Sequence, residues 1–197
     1  MDRTEYRSLN ARSLKPGAAC RQPNTYSPVR LSTPAIEVMT DFNAVSPVTI
    51  GADASLAQAT NAMIARGVRL LFVVGDEDRI IGLITARDTT GERPIKLIGE
   101  RGGKHSDLRV ADVMTKREDI EALPLAEVLA SKVGNILRTL ERLGRQHALV
   151  VETDASGDEM VRGIFSATNI GRRLGVPIQT FEVANTFAQI KAAIDAG

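Results

Sequence analysis

The strongest constraint in this chain is that it repeats itself. Ile36-Glu37-Val38-Met39-Thr40 returns as Ala111-Asp112-Val113-Met114-Thr115, 75 residues on. Gly67, which closes a stretch of helical spacing, returns as Gly144, 77 residues on. The apolar run 70–74 returns as 147–151 at the same offset. Gly82-Leu83-Ile84-Thr85-Ala86-Arg87-Asp88 returns as Gly163-Ile164-Phe165-Ser166-Ala167-Thr168-Asn169, 81 residues on. The offset drifts only where a connecting loop grows, most at the turn 152–159 against 75–78. Two copies of about 70 residues are too few for a solenoid. They predict two half-domains packed about a pseudo-two-fold axis, with a cleft between them.

Each copy reads strand–helix–strand–strand–helix, so the fold class is α/β (α+β). In the first copy Val45, Val48 and Ile50 predict a short strand or extended segment. Ser55 then precedes Leu56, Ala59, Ala62 and Met63, a capping residue followed by apolar positions at helical spacing. Gly67 predicts a left-handed C-terminal cap. The runs 68–74 and 79–85, joined by Gly75-Asp76-Glu77-Asp78, predict a hairpin. Thr90-Gly91-Glu92-Arg93-Pro94 interrupts the chain, and Pro94 opens a short helix through Ile95, Leu97 and Ile98. The predicted division is a basic, loosely attached arm over 1–33, a first repeat with its linker over 34–108, a second repeat over 109–175 and a C-terminal helix over 176–197. Residues 1–30 hold six basic and two acidic residues, against a net charge of +1 for all 197. The arm reads as solvated chain, with contact to phosphates or an acidic partner as the alternative.

These motifs resemble the tandem CBS domain pair, or Bateman module. The resemblance covers roughly residues 34–175. It rests on the Val-Met-Thr segment before each copy, the passage from helix through glycine to apolar strand, and the Gly-Leu-Ile-Thr-Ala-Arg-Asp stretch. The first copy matches the family's Gly-x-x-Thr/Ser-x-x-Asp pattern in full. The second departs from it at Asn169.

Such pairs sense adenosine-containing ligands: AMP, ADP, ATP, and in some members S-adenosylmethionine or NAD. The resemblance therefore implies a ribose-binding role for Asp88, whose carboxylate is an acceptor-only group suited to vicinal hydroxyls. Thr85, one turn earlier, would bond ribose or phosphate. A helix starting after Asp88 would aim backbone N–H groups at an anion. Val48 and Ile50 would wall the adenine. Arg69 is the first phosphate candidate, with Arg145 and His147 in the corresponding stretch of the second copy. Ser166 and Asn169 would form a second, weaker site, because Asn brings no charge to a hydroxyl contact. The competing reading makes Asp88 and Ser166 helix caps and nothing more.

The remaining candidates carry little. Cys20 has no activating neighbour in sequence and excludes an internal disulfide and a multi-cysteine metal site. His105 lies in the polar linker 102–107. Met39 and Met114 read as core fillers. No paired carboxylates and no nucleophile–base set point to catalysis, so no enzyme, catalytic residue or metal site is expected. With 43% hydrophobic and 25% charged residues and 25 basic against 24 acidic side chains, nucleic acid is a poor partner. No apolar run reaches the roughly 18 residues of a membrane span and no apolar leader is evident, so a reduced, cytoplasmic setting is expected. Phe187, Ile190, Lys191 and Ile194 share one helical face near Ala184 and Ala188, suited to packing on the module or on a second subunit. The expected function is a stand-alone regulatory module, by default a homodimer, that passes an adenine-nucleotide signal to a protein partner. Mg²⁺ beside the phosphates is left open. The alternative is a ligand-free assembly or adaptor protein.

Overall fold

Ser55 opens the first helix as its pattern predicts. Its Oγ accepts from Gln58 N at 3.2 Å, and Gln58 Oε1 accepts from Ser55 N at 2.8 Å, a reciprocal cap. The computed structural model describes residues 9–20, 29–176 and 183–195. In chain order the strands and helices are β1 (Thr40–Asp41), β2 (Thr49–Gly51), α1 (Leu56–Arg66), β3 (Leu70–Val74), β4 (Ile80–Thr85), α2 (Ala86–Thr90) and α3 (Glu92–Arg101). There follow α4 (Val110–Val113), β5 (Thr115–Lys116), β6 (Ala122–Pro124), α5 (Leu125–Leu129), α6 (Val133–Leu143), β7 (His147–Thr153), β8 (Glu159–Ser166), α7 (Ala167–Arg173) and α8 (Val183–Asp195). Helices α1 and α6 both end at glycine in the left-handed region, Gly67 at φ 63° and Gly144 at φ 60°. No L side chain adopts that turn as cheaply.

Two four-stranded sheets result, in the orders β2-β3-β4-β5 and β1-β8-β7-β6. Each sheet takes one edge strand from the other repeat. β1 pairs antiparallel with β8, Thr40 opposite Ile164. β5 pairs antiparallel with β4, Thr115 opposite Leu83. The segments leading into these strands are exchanged with them. Ala35 and Val38 lie in the core of the second half with Ile136, Leu140 and Phe165. Val110 and Val113 lie in the core of the first half with Leu56, Leu71 and Ile84. The Val-Met-Thr segment thus fastens each repeat to its twin.

The exchange explains two glycines. A Cβ on Gly82 would stand 2.6 Å from Thr115 O, and one on Gly163 would stand 2.6 Å from Thr40 O. Only a bare backbone lets the exchanged strand approach. Between the sheets, Leu70, Phe72 and Leu149 form a third buried cluster, with Phe42 and Ile164 packed against it. The Phe42 ring meets Phe72 edge-on at 5.6 Å.

Several expectations need correction. The strand containing Ile50 covers only Thr49–Gly51, because Pro47 lacks an N–H and leaves Val45 in an exposed loop. The stretch expected to be loose is tied down from Val29 onward. Val29 is buried in the second half, and Thr33 and Leu31 accept backbone bonds from Val133 and Gly134. Residues 9–20 are exposed and form neither helix nor strand, while the remainder of the predicted arm lies outside the described residues. α8 uses Phe187 and Ile190 to cover the second half's core, and leaves Lys191 and Ile194 exposed.

Candidate functional site

The hairpin β3–β4 delivers Thr85 to the edge of the inter-repeat region, and α2 begins at once behind it. Asp88 sits in the first turn of α2, half-buried, with its side chain folded back. Its Oδ2 accepts from Thr85 N at 2.8 Å and from Thr85 Oγ1 at 2.6 Å. The helix therefore starts at Ala86, before Asp88 and not after it. Ala86 N is committed to Arg69 O at 3.0 Å, so the expected anion-binding helix start behind Asp88 does not form. The backbone turns extended at Gly91 (ψ −159°) and ends the helix there, and only glycine fits, since a Cβ would stand 2.5 Å from Arg87 O. Asp88 is therefore not the N-cap of a following helix; Thr85 is the cap, and Asp88, three residues on, closes it from inside the helix through one carboxylate oxygen. Oδ1 takes no partner among the described residues.

The second copy is built differently. Ser166 Oγ accepts from Asn169 N at 3.5 Å, a long contact. No reciprocal bond from the Asn169 side chain accompanies it among the described residues. A carboxylate takes two donors in the first repeat, and an amide takes none of them in the second.

Arg69 stands beside Thr85 through the backbone and crosses to the other repeat with its side chain. Its Nη2 donates to Thr168 Oγ1 on α7 at 2.7 Å. The guanidinium is pulled below its ordinary basicity by burial first and by the nearby charge of Arg172 second. His147, the residue opposite Ser166, feels the same field. Burial first, and the charge of Arg69 second, push its imidazole down to about 4. At neutral pH His147 is therefore an uncharged hydrogen-bonding group and contributes no cation to a phosphate site.

The register corrects the expected correspondence between copies. Ala167 N bonds Gln146 O as Ala86 N bonds Arg69 O, so Gln146 and not Arg145 holds the place of Arg69. The 77-residue offset does match Gln146 to Arg69, but a neutral side chain carries no charge signal in the sequence. Arg145 is engaged elsewhere, with Nη2 3.2 Å from Glu121 Oε2. Thr168 and Arg172, which the sequence reading did not single out, lie close to Arg69. Val48 and Ile50 are half-buried and pack against the core of the first half. Their register partners in the second copy are Glu121 and Leu123, so the wall offered by one repeat is apolar and that offered by the other carries an ion pair. Cys20 is exposed, and His105 Nε2 lies 3.0 Å from Thr89 O at the end of α2. Met39 is buried and Met114 partly so, both on the cores. Among the described residues, no group of three or more His, Cys, Asp or Glu is arranged to hold a metal ion. No described helix is long and apolar enough to cross a membrane.

Comparison with known proteins bears on this geometry. Residues 35–90 match the CBS domain family. Over 82 residues the chain is 30% identical to the inosine-5'-monophosphate dehydrogenase of Methanocaldococcus jannaschii, a match covering 42% of this chain and 15% of that enzyme. The chain therefore spans a small fraction of that relative. Among solved structures, an uncharacterized conserved protein from Pyrococcus horikoshii superposes with a TM-score of 0.53 at 18% identity, over 78% of this chain and all of that one. A CBS-domain containing protein from Agrobacterium tumefaciens superposes with a TM-score of 0.52 at 18% identity, over 73% and 94% of the two chains.

Proposed function

The chain is a tandem CBS domain protein, and on that footing we propose that it binds an adenosine-containing ligand, AMP, ADP or ATP, in the cleft between its repeats. The observation that carries this reading is the Thr85–Asp88 turn beside Arg69. A half-buried carboxylate is held by its own helix start through one oxygen, with the other left to accept from a ribose hydroxyl. A half-buried guanidinium from Arg69, the residue just before β3 whose carbonyl receives Ala86 N, is there for the anionic end of the same molecule. An acceptor in the first turn of α2 and a cation from the residue whose carbonyl receives Ala86 N match a ligand with a diol and a phosphate better than either group alone.

The two halves are unequal in this reading. The Ser166/Asn169 side has no carboxylate, and Gln146 replaces the arginine. It binds weakly or stays empty. Binding has regulatory consequence only if the ligand favours one arrangement of the module or of a dimer over another. The module is read as a binding protein without turnover, acting on a protein partner. A ligand-free adaptor is the second reading, favoured by the fact that Thr85 already satisfies one oxygen of Asp88.

A thermal-denaturation panel with AMP, ADP, ATP, S-adenosylmethionine and NAD separates the two. A ligand at one hundred times its Kd stabilises by about 2.7 kcal/mol, which in a chain of this size raises Tm by about 5–10 °C. The expected result is such a rise with at least one of AMP, ADP and ATP. No rise with any of the five at millimolar concentration selects the adaptor.

A further inference from the structure

A line of hydrogen bonds runs from the first repeat to the C-terminal helix. Arg69 Nη2 donates to Thr168 Oγ1 at 2.7 Å. The Thr168 hydroxyl donates onward to Gln146 Oε1 at 3.3 Å. Gln146 Nε2 then donates to Thr186 Oγ1, on α8, at 3.1 Å. Every link points the same way, with a fixed positive charge at the head. Bonds aligned in this manner polarise and strengthen one another in a low-dielectric interior.

Burial gives the line its weight. Thr168 is 2% exposed and Thr186 is fully buried. A buried hydroxyl that loses a partner has no water to replace it, so each link is costly to break. The line also exploits the difference between the repeats, since Arg69 and Gln146 hold matching places before β3 and β7 and converge on Thr168. α8 is also held to the second half by its apolar anchors Phe187 and Ile190.

We propose that Arg69 of the first repeat sets how firmly α8 is seated on the second, through Thr168, Gln146 and Thr186. The natural input rests on the nucleotide reading above: an anion drawn to Arg69 competes with Thr168 for the guanidinium, and α8 loosens at the far end. By reciprocity, a loosened α8 favours the anion. The coupling itself is a property of the chain alone and is tested without ligand.

Hydrogen exchange of α8 is followed in the wild type, Arg69→Met, Thr186→Val and the double variant. Methionine keeps an apolar stem and removes the donors. Arg69→Met is expected to speed α8 exchange about fivefold, with α1 and α6 unchanged. The same substitution is expected to add little in the Thr186→Val background, because the line is already cut there. Unchanged α8 exchange in Arg69→Met overturns the proposal, as does an equal acceleration with and without the Thr186 hydroxyl. If Arg69→Met speeds exchange everywhere, Thr168→Val, which keeps shape and removes the hydroxyl, decides on the same criteria. In a second arm AMP, ADP and ATP are each added to the wild type, with binding followed by calorimetry. Binding with faster α8 exchange is expected, and binding with α8 unchanged overturns the ligand input. Absence of binding defeats the nucleotide reading and leaves the coupling to be decided by Arg69→Met.

Discussion

Gly163→Val is expected to remove at least about 3 kcal/mol of stability, and Gly82→Val a similar amount. That is a large share of the roughly 5–15 kcal/mol that holds a typical domain, and it lowers Tm by about 6–12 °C. A Cβ at Gly163 stands 2.6 Å from Thr40 O and 2.7 Å from Met39 Sδ, well inside the roughly 3.5 Å of good contact. The methionine can move, but the backbone oxygen belongs to the strand that pairs with β8. Relief therefore requires β1 to leave the sheet, and Val38, buried just before it, goes with it. Gly82 repeats the arrangement with Thr115 O and Met114 Sδ at 2.6 and 2.9 Å. Gly99, inside α3 with nothing within 4 Å of its would-be Cβ, is the control. Gly99→Ala is expected to stabilise by about 0.5–1 kcal/mol. Urea denaturation of the three variants against the wild type measures all three effects. Equal, small losses at Gly82 and Gly163 would show that the exchanged strands do not hold the halves together.

The second large effect is on acid stability. His147 has its imidazole pushed from the ordinary 6.5 down to about 4, by burial first and by the charge of Arg69 second. The folded state therefore binds this proton less readily than the unfolded chain. Stability from this residue is complete above about pH 6.5 and is lost as pH falls toward about 4. A shift of this size is worth on the order of 2–3 kcal/mol once partial solvent access is allowed for. Leu70 occupies the matching position of the first repeat, so leucine fits the site chemically. His147→Leu is expected to flatten the fall in stability between pH 6.5 and 4, leaving the common carboxylate titration behind. Urea midpoints of both proteins across that range give the difference directly. Parallel curves would mean that His147 is not held neutral by the fold.

Much of this was legible in the residues, and the reasons for the rest are specific. The repeat was visible because caps and apolar strands leave signatures that survive divergence. Ser55, Gly67 and Gly144 each mark a helix end through one side chain or its absence. The exchange of β1 and β5 was not visible. Each is two residues long, with no period to read, and nothing local says which hairpin a two-residue strand will join. Its trace was Gly82 and Gly163, recurring at equal places inside otherwise apolar strands. The start of α2 was misplaced because Gly91 and Pro94 suggested a late helix, whereas the Thr85–Asp88 cap closes a short one first. Val48 and Ile50 alternate in the way any half-buried strand does, and that pattern fits the core of their own half as well as a ligand wall. Gln146 and Thr168 give no signal in the sequence because neutral side chains carry no charge pattern, although they carry the hydrogen bonds that receive Arg69.

The central claim is that Thr85 and Asp88 form the better of two unequal nucleotide sites. The most direct test is a calorimetric titration of ATP and of AMP into the wild type, Asp88→Ala and Asn169→Ala. Asp88→Ala is expected to weaken the tighter event at least about tenfold, the loss of one charge-assisted contact. Asn169→Ala is expected to leave that event within about twofold, since a neutral amide contributes little there. Binding that survives Asp88→Ala unchanged, or that fails in Asn169→Ala instead, would contradict the account.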